Sequence, residues 1–254
     1  MTVDRHIRVD RDGPVRTVVL ARAAKRNALS QAMLDGLREA FQPPPPPDER
    51  VTVLRSEGPV FCSGLDLQER LGGVSGERSI EDVLHAIESY PLPVVAVVQG
   101  DAIAGGNELA LHCDLVVAST RAHFGMSLAQ LGLAPTWFLA KKLVEVAGPA
   151  MAREILLLGD PLPATRLADL GLISRVVPPH DLEREATAVV GRLAANAPLS
   201  LRAMKALLLR QMTFRDGLAH DDVDGLVART AVSDDQREGI AARLERREPR
   251  FQGR

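Results

Sequence analysis

Val94-Val95-Ala96-Val97-Val98-Gln99-Gly100-Asp101-Ala102-Ile103-Ala104-Gly105-Gly106-Asn107-Glu108 reads as a buried strand that runs into a glycine turn and then into a helix. Five consecutive apolar residues, four of them β-branched, suit a strand covered on both faces. Glycine at a strand exit that leads into a helix leaves free backbone N–H groups aimed at one spot, where they stabilise negative charge. A second segment has the same character. Phe61-Cys62-Ser63-Gly64-Leu65-Asp66-Leu67 follows the predicted strand Val51 to Leu54. Taken singly, such glycines are ordinary turns. Two of these loops from separate strands can converge on a single oxygen. A thioester carbonyl becoming an enolate is a suitable target, because its charge appears only as reaction proceeds.

Outward from these segments, Val15 to Leu20 and Leu115 to Ala118 also read as buried strands. Ser30 to Phe41 and Ile80 to Ser89 carry apolar residues at helical spacing, the first behind a capping serine. The alternation predicts an α/β fold built from βαβ units around a mostly parallel sheet. Pro43 to Pro47 cannot be helical and reads as a stiff surface loop ending the preceding helix, rather than as a ligand for a proline-binding domain. From about Leu128 the chain turns helical, with one more strand at Ile173 to Val177. Helical patterns cover Asp181 to Asn196, Leu199 to Met212, Asp216 to Thr230 and Ser233 to Arg247. This divides the chain into an α/β core, 1–197, and a helical region, 198–254, that packs on its own core or on a neighbouring subunit.

Composition removes several functional classes. The 254 residues are 46% hydrophobic and 25% charged, enough for a packed core and too apolar for disorder. Only eight are aromatic, so Leu, Val, Ala and Ile must fill the interior. A formal net charge of −2 without a basic block argues against nucleic acid. No apolar run reaches the length of a membrane span. Met1 to Asp12 lacks the hydrophobic stretch of a secretory signal, so Cys62 and Cys113 read as reduced thiols in a cytoplasmic protein. Phosphate-loop, dinucleotide and nucleophile-elbow motifs are absent, and the His and Cys spacings suit no metal. His112 reads as a favourable residue at a helix C-terminus rather than as a base.

Both loop segments resemble those of the crotonase family, the enoyl-CoA hydratases and isomerases. The similarity runs through Phe61 to Leu67 and Pro93 to Leu115, including Glu108-Leu109-Ala110 and Cys113-Asp114-Leu115. It extends to Lys25-Arg26-Asn27-Ala28-Leu29, Phe124-Gly125, Leu131-Gly132, Ala168 with Leu170-Gly171-Leu172, and Arg237-Glu238-Gly239-Ile240. The resemblance implies a spiral of ββα turns followed by a helical oligomerisation region, assembled as a homotrimer or a dimer of trimers. It implies an acyl-CoA thioester as substrate, with coenzyme A entering only as part of it and no separate cofactor. The N–H groups of Leu65 and Gly105 would form an oxyanion hole. Coenzyme A would lie along Ala28 and the loop Ser63, Leu65, Asp66 and Leu67, with Lys25 and Arg26 near its phosphates or merely solvated.

Family hydratases use two glutamates to handle one water. Glu108 matches the first, although an acidic residue there would also stabilise the first turn of its helix. The second belongs four residues after Phe124, where this chain has Leu128. The following stretch is also altered, to Pro135-Thr136-Trp137-Phe138-Leu139, so that Trp137 and Phe138 either narrow the acyl pocket or fill core. Hydration of a 2-enoyl-CoA, the chemistry of fatty acid breakdown, stands narrowly first. The alternatives are a double-bond isomerase using Glu108 alone, and a CoA-ester-binding protein that has lost catalysis. Asp66 and Glu69 are candidates to replace the missing carboxylate.

Overall fold

The computed structural model describes residues 6–42, 44–71, 79–213 and 216–254. In chain order the first half runs β1 (Ile7–Asp12), β2 (Val15–Leu20), α1 (Gln31–Phe41), β3 (Val51–Ser56), α2 (Leu67–Leu71), α3 (Ile80–Ser89), β4 (Val94–Val98), β5 (Ala102–Ile103), α4 (Gly105–Leu111), β6 (Leu115–Ser119) and β7 (His123–Gly125). The second half contributes α5 (Trp137–Arg153), β8 (Leu162–Pro163), α6 (Ala164–Asp169), β9 (Arg175–Val177), α7 (Leu182–Ala195), α8 (Pro198–Met212), α9 (Asp221–Ala231) and α10 (Asp234–Glu245). The main sheet has the order β1-β2-β3-β4-β6-β9, and a small second sheet has the order β5-β7-β8. In the main sheet β1 pairs antiparallel with β2, and every other neighbouring pair is parallel.

Residue alternation explains the parallel sheet. Leu54, Val94, Ala96, Val98, Val116 and Ala118 point to one face and join the core formed with α1, α3 and α4. Val51, Val53, Val95, Val97 and Val117 point to the other, where Leu182, Ala186 and Val190 of α7 cover them. A strand buried on both faces must be apolar throughout, as β4 is. Edge strand β1 differs. Its residues are mostly exposed, and its charged alternation carries no strand signal of the buried kind.

The helices start where local chemistry allows. Ser30 caps α1 by accepting from the Met33 N–H, and Ser79 forms a capping box with Asp82 at the start of α3. Helix α9 starts at Asp221, five residues after the start predicted from apolar spacing, because Asp216 to Leu218 form a turn instead. Helix α5 is broken at Gly148 (φ 69°, ψ 165°), and Pro149 begins its second part. Pro44 to Pro47 lie in the loop after α1; Pro43, like Met1 to Arg5, is outside the described residues. Cys62 and Cys113 are buried, unbridged thiols, and burial pushes the Cys62 thiol up to about 12. Among the described residues no helix is long and apolar enough to cross a membrane.

A buried ion pair joins α8 to the core. The Lys205 ammonium of α8 is buried and donates to Asp114 Oδ2 at 2.6 Å and to the Leu92 carbonyl at 3.2 Å. Asp114 Oδ2 also accepts from the Val94 N–H at 2.7 Å, so one carboxylate joins α8 to the start of β4. Around Lys205, the same helix leaves Leu199, Met204, Leu207 and Leu208 exposed. Replacing Lys205 by Met keeps the aliphatic stem and removes the charged donor. This should cost about 2 kcal/mol, seen as a lower urea midpoint at unchanged slope.

Candidate active site

The two glycine segments are stitched together by the backbone. Cys62 N–H donates to the Asp101 carbonyl at 3.2 Å, and Ile103 N–H donates to the Cys62 carbonyl at 2.9 Å. Gly106 sits so close behind this bridge that a β-carbon there would lie 2.2 Å from the Cys62 oxygen. Gly64, at φ +92°, takes a backbone conformation that side-chain-bearing residues avoid, and a β-carbon on it would lie 3.4 Å from the Gly105 nitrogen. The Leu65 and Gly105 amides are thereby brought to one wall of a single cavity.

Both amides are free for a reason. Leu29 forms a parallel bridge to the loop, its N–H donating to Gly64 and its carbonyl accepting from Asp66. The Leu65 N–H between them therefore points the other way, as successive groups in extended chain do. Gly105 opens α4, where the first N–H groups have no helical acceptor. Among the described residues neither amide donates a hydrogen bond. Ala104, just before, is held at φ 49° and ψ −115°, with its N–H on the Gly125 carbonyl at 2.7 Å. Such a backbone costs about 1–3 kcal/mol and persists only where its surroundings over-determine it.

The cavity encloses about 420 Å³. Lys25, Arg26, Ala28, Ser63, Leu65, Asp66, Leu67, Gly105, Glu108 and Leu128 all line it, whereas Glu69, Trp137 and Phe138 do not. Lys25 and Arg26 are exposed at its rim. Their loop is shaped by Asn27, which is fully buried at φ 51°, donates to the carbonyls of Glu57 and Val60 and accepts from the Arg22 N–H. Trp137 lies elsewhere. Its ring stacks on His220 at 4.5 Å in a separate depression, because Trp137 is on the side of α5 toward the start of α9, while Leu139 of the same turn lines the cavity. Phe138 packs on the imidazole of His112.

Glu108 is 1% exposed. Burial pushes its carboxyl up to about 8, against the pull of the Asn107 amide and the Lys142 charge. Oε1 accepts from Asn107 at 3.3 Å, whereas Oε2 has no hydrogen-bond partner among the described residues. The carboxyl is mostly protonated at neutral pH. Asp66 also faces the cavity, yet its Oδ2 is held by Arg22 at 2.7 Å and its Oδ1 by the Gln68 N–H. Burial pushes Asp66 up; Arg22 and the amides outweigh it, and the net displacement is downward. Glu69 caps α1 through the Gln31 N–H at 2.9 Å and does not line the cavity. Both acids are thus engaged by partners of their own. Leu128 fills that side with Met126, Leu131, Leu133 and Leu139.

Two features escaped the sequence. Arg243 and Leu244 of α10 complete the cavity, since α10 packs on α2 and on the Ala129–Leu131 turn. A β-carbon on Gly239 would lie 2.5 Å from the Leu131 backbone, so only glycine permits that approach. His112 is the second. It is buried rather than exposed at the end of α4, and burial pulls its imidazole down to about 4. The expected role as a cation at a helix C-terminus is therefore corrected: the ring is neutral.

A sequence model described as enoyl-CoA hydratase/isomerase matches residues 10–254. The chain is 36% identical over 250 residues to a putative enoyl-CoA hydratase of Thermus thermophilus, covering 94% of this chain and 98% of that protein. It is 31% identical over 252 residues to the enoyl-CoA isomerase/hydratase fer4 of Mycosarcoma maydis, covering 93% and 92%. Among solved structures, a methylmalonyl-CoA decarboxylase superposes with a TM-score of 0.89 at 26% identity over 98% of both chains. An enoyl-CoA hydratase from Mycobacterium avium subsp. paratuberculosis gives 0.86 at 28% identity, over 97% of this chain and 98% of that one. Matched over residues 10–254 by this family's model and at 36% identity by a relative covered almost throughout, the chain belongs to the enoyl-CoA hydratase/isomerase family.

Proposed function

We propose that this acyl-CoA enzyme is an enoyl-CoA isomerase that moves a double bond with one carboxyl group. The observation that carries this reading is Glu108, buried in a cavity it shares with Leu128 and whose other carboxylate among the described residues, Asp66, is held by Arg22. The thioester oxygen sits between the Leu65 and Gly105 amides, and the acyl chain runs among aliphatic side chains. Glu108 in its ionised form takes a proton from C2 of a 3-enoyl thioester. The two amides hold the dienolate oxygen, and the Glu108 carboxyl returns the proton at C4. Hydration asks for more. A water must be deprotonated while the α-carbon is protonated, and Leu128 offers nothing for that. Lys25 and Arg26 meet the coenzyme phosphates, and Ala28, Ser63, Asp66 and Leu67 border its path.

Decarboxylation is a second reading, favoured by the protonated state of Glu108 at neutral pH. Loss of CO2 from a malonyl-type thioester leaves an enolate that needs only a proton, which a neutral carboxyl supplies. The two readings have opposite pH dependence. Isomerisation uses the carboxylate, so its rate rises through about pH 8. Decarboxylation uses the acid, so its rate falls through the same value.

Three measurements test these assignments. Gly105→Pro removes one amide donor, with the far end of Ile80, 2.7 Å from a β-carbon placed there, having to move to admit the ring. Turnover should fall on the order of a hundredfold or more, with circular dichroism confirming the fold; a folded variant of full activity overturns the oxyanion hole. Glu108→Gln should cost roughly a hundredfold to ten-thousandfold and abolish the single pH limb. Leu128→Glu should add a second limb, making a bell, and introduce crotonyl-CoA hydration. If the unmodified protein already hydrates crotonyl-CoA with a bell-shaped profile, the one-carboxyl reading fails.

We also propose that the exposed apolar face of α8 is a subunit contact in a trimer or a pair of trimers. An apolar helix face left in water marks an interaction surface. Sedimentation at micromolar concentration should then show multiples of 27.4 kDa, and a lone monomer would contradict this.

A further inference from the structure

We propose that His112 is a positioning residue that sets how readily Glu108 ionises, acting through a hydrogen-bond donor shared between the backbone and side chain of Glu108. The proposal rests on Glu108 being the acid–base group. His112 Nδ1 lies 2.9 Å from the Glu108 carbonyl oxygen and 3.6 Å from Glu108 Oε2. A carbonyl only accepts, so Nδ1 carries the hydrogen in this neutral ring. Oε2 is the oxygen without a hydrogen-bond partner among the described residues. The same carbonyl already accepts from the His112 N–H at 3.0 Å. Nδ1–H can therefore leave the carbonyl for Oε2 without orphaning it. When Glu108 becomes a carboxylate, a short shift of the ring brings it a donor in a place where water has little access.

Lys142 acts on Glu108 through its charge, whereas His112 is placed within reach of Oε2 as a donor. Lys142 of α5 is engaged by Glu88 of α3 at 2.7 Å, and Lys141 by Asp216 and Glu145. Lys205 is held by Asp114 at 2.6 Å. Each of these cations has its own carboxylate. His112 Nε2 is buried without a hydrogen-bond partner among the described residues. The ring borders a second cavity, of about 330 Å³, whose wall is aliphatic in part and elsewhere carries Glu88, Asp114, Lys142, Ser174 and Lys205. That polar part of the wall suits water, and a hydrogen bond accepted at Nε2 strengthens donation from Nδ1. The imidazole, stacked on Phe138 at 5.2 Å, thus borders this second cavity on one side and meets the Glu108 carboxyl at 3.6 Å on the other.

The test compares His112→Phe, which keeps a ring on Phe138 and removes the donor, with His112→Asn, which restores an N–H near the Nδ1 position. The pH dependence of turnover is read on 3-hexenoyl-CoA. A carboxyl stretch assigned by its loss in Glu108→Gln is titrated in parallel by infrared difference spectroscopy, which needs no turnover. Loss of a donor to the charged form disfavours that form, so the Glu108 transition in His112→Phe should move up by about one pH unit. His112→Asn should bring it back towards the unmodified value. A transition in His112→Phe that coincides with the unmodified one overturns the proposal. So does an activity loss equal at all pH values with the transition unmoved, which marks a purely structural role. A Glu108→Gln protein that keeps both activity and limb overturns instead the assignment of Glu108.

Discussion

The backbone bridge at Cys62 governs the rest of the site. Two hydrogen bonds, to Asp101 and from Ile103, lock the exit of one strand to the exit of the next. The lock works only because Gly106 lets the first turn of α4 rest on the Cys62 carbonyl. That contact sets where the Gly105 amide lies, and Gly64 sets the Leu65 amide beside it. The strained backbone at Ala104 follows from the same demand. The chain must pass from β5 into α4 without moving either amide. Rigid backbone donors suit an anion that exists only briefly, because they need no reorganisation when the charge appears.

Burial then divides the work between the carboxyl groups. Asp66 and Glu108 line the same cavity, but Asp66 is tied to Arg22 and two-sided hydrogen bonding keeps it ionised. Glu108 has only a long contact to the Asn107 amide, and the dry surroundings favour its neutral form. The difference lies in their partners and not in the acid itself. Glu108 is poised near the pH at which it can both take and give a proton, which is what a group that must do both requires.

Much of this was legible in the residues. Strands β2 and β4 fall where β-branched runs place them, and α1 starts at its capping serine, because these signals are local. The paired glycine loops and Glu108 were legible for the same reason: each depends on a few consecutive residues. What could not be read depended on contacts distant in sequence. Trp137 looked like a pocket residue from its neighbours in the chain, yet its direction is set by α9, some eighty residues on. His112 looked like a helix-end cation because nothing local shows that Phe138 and α5 seal it from water. Strand β1 was missed since an exposed edge strand has no need of an apolar pattern. The cavity wall from Arg243 and Leu244 depends on Gly239 meeting Leu131, a packing contact that spacing alone does not reveal.

That last wall ties the site to the far end of the chain. Arg243 and Leu244 belong to α10, whereas the two glycine loops are complete by residue 106. The lining of one cavity is thus shared between segments more than a hundred residues apart, and it is the packing of α10 on the Ala129–Leu131 turn that encloses the space opened by the earlier loops.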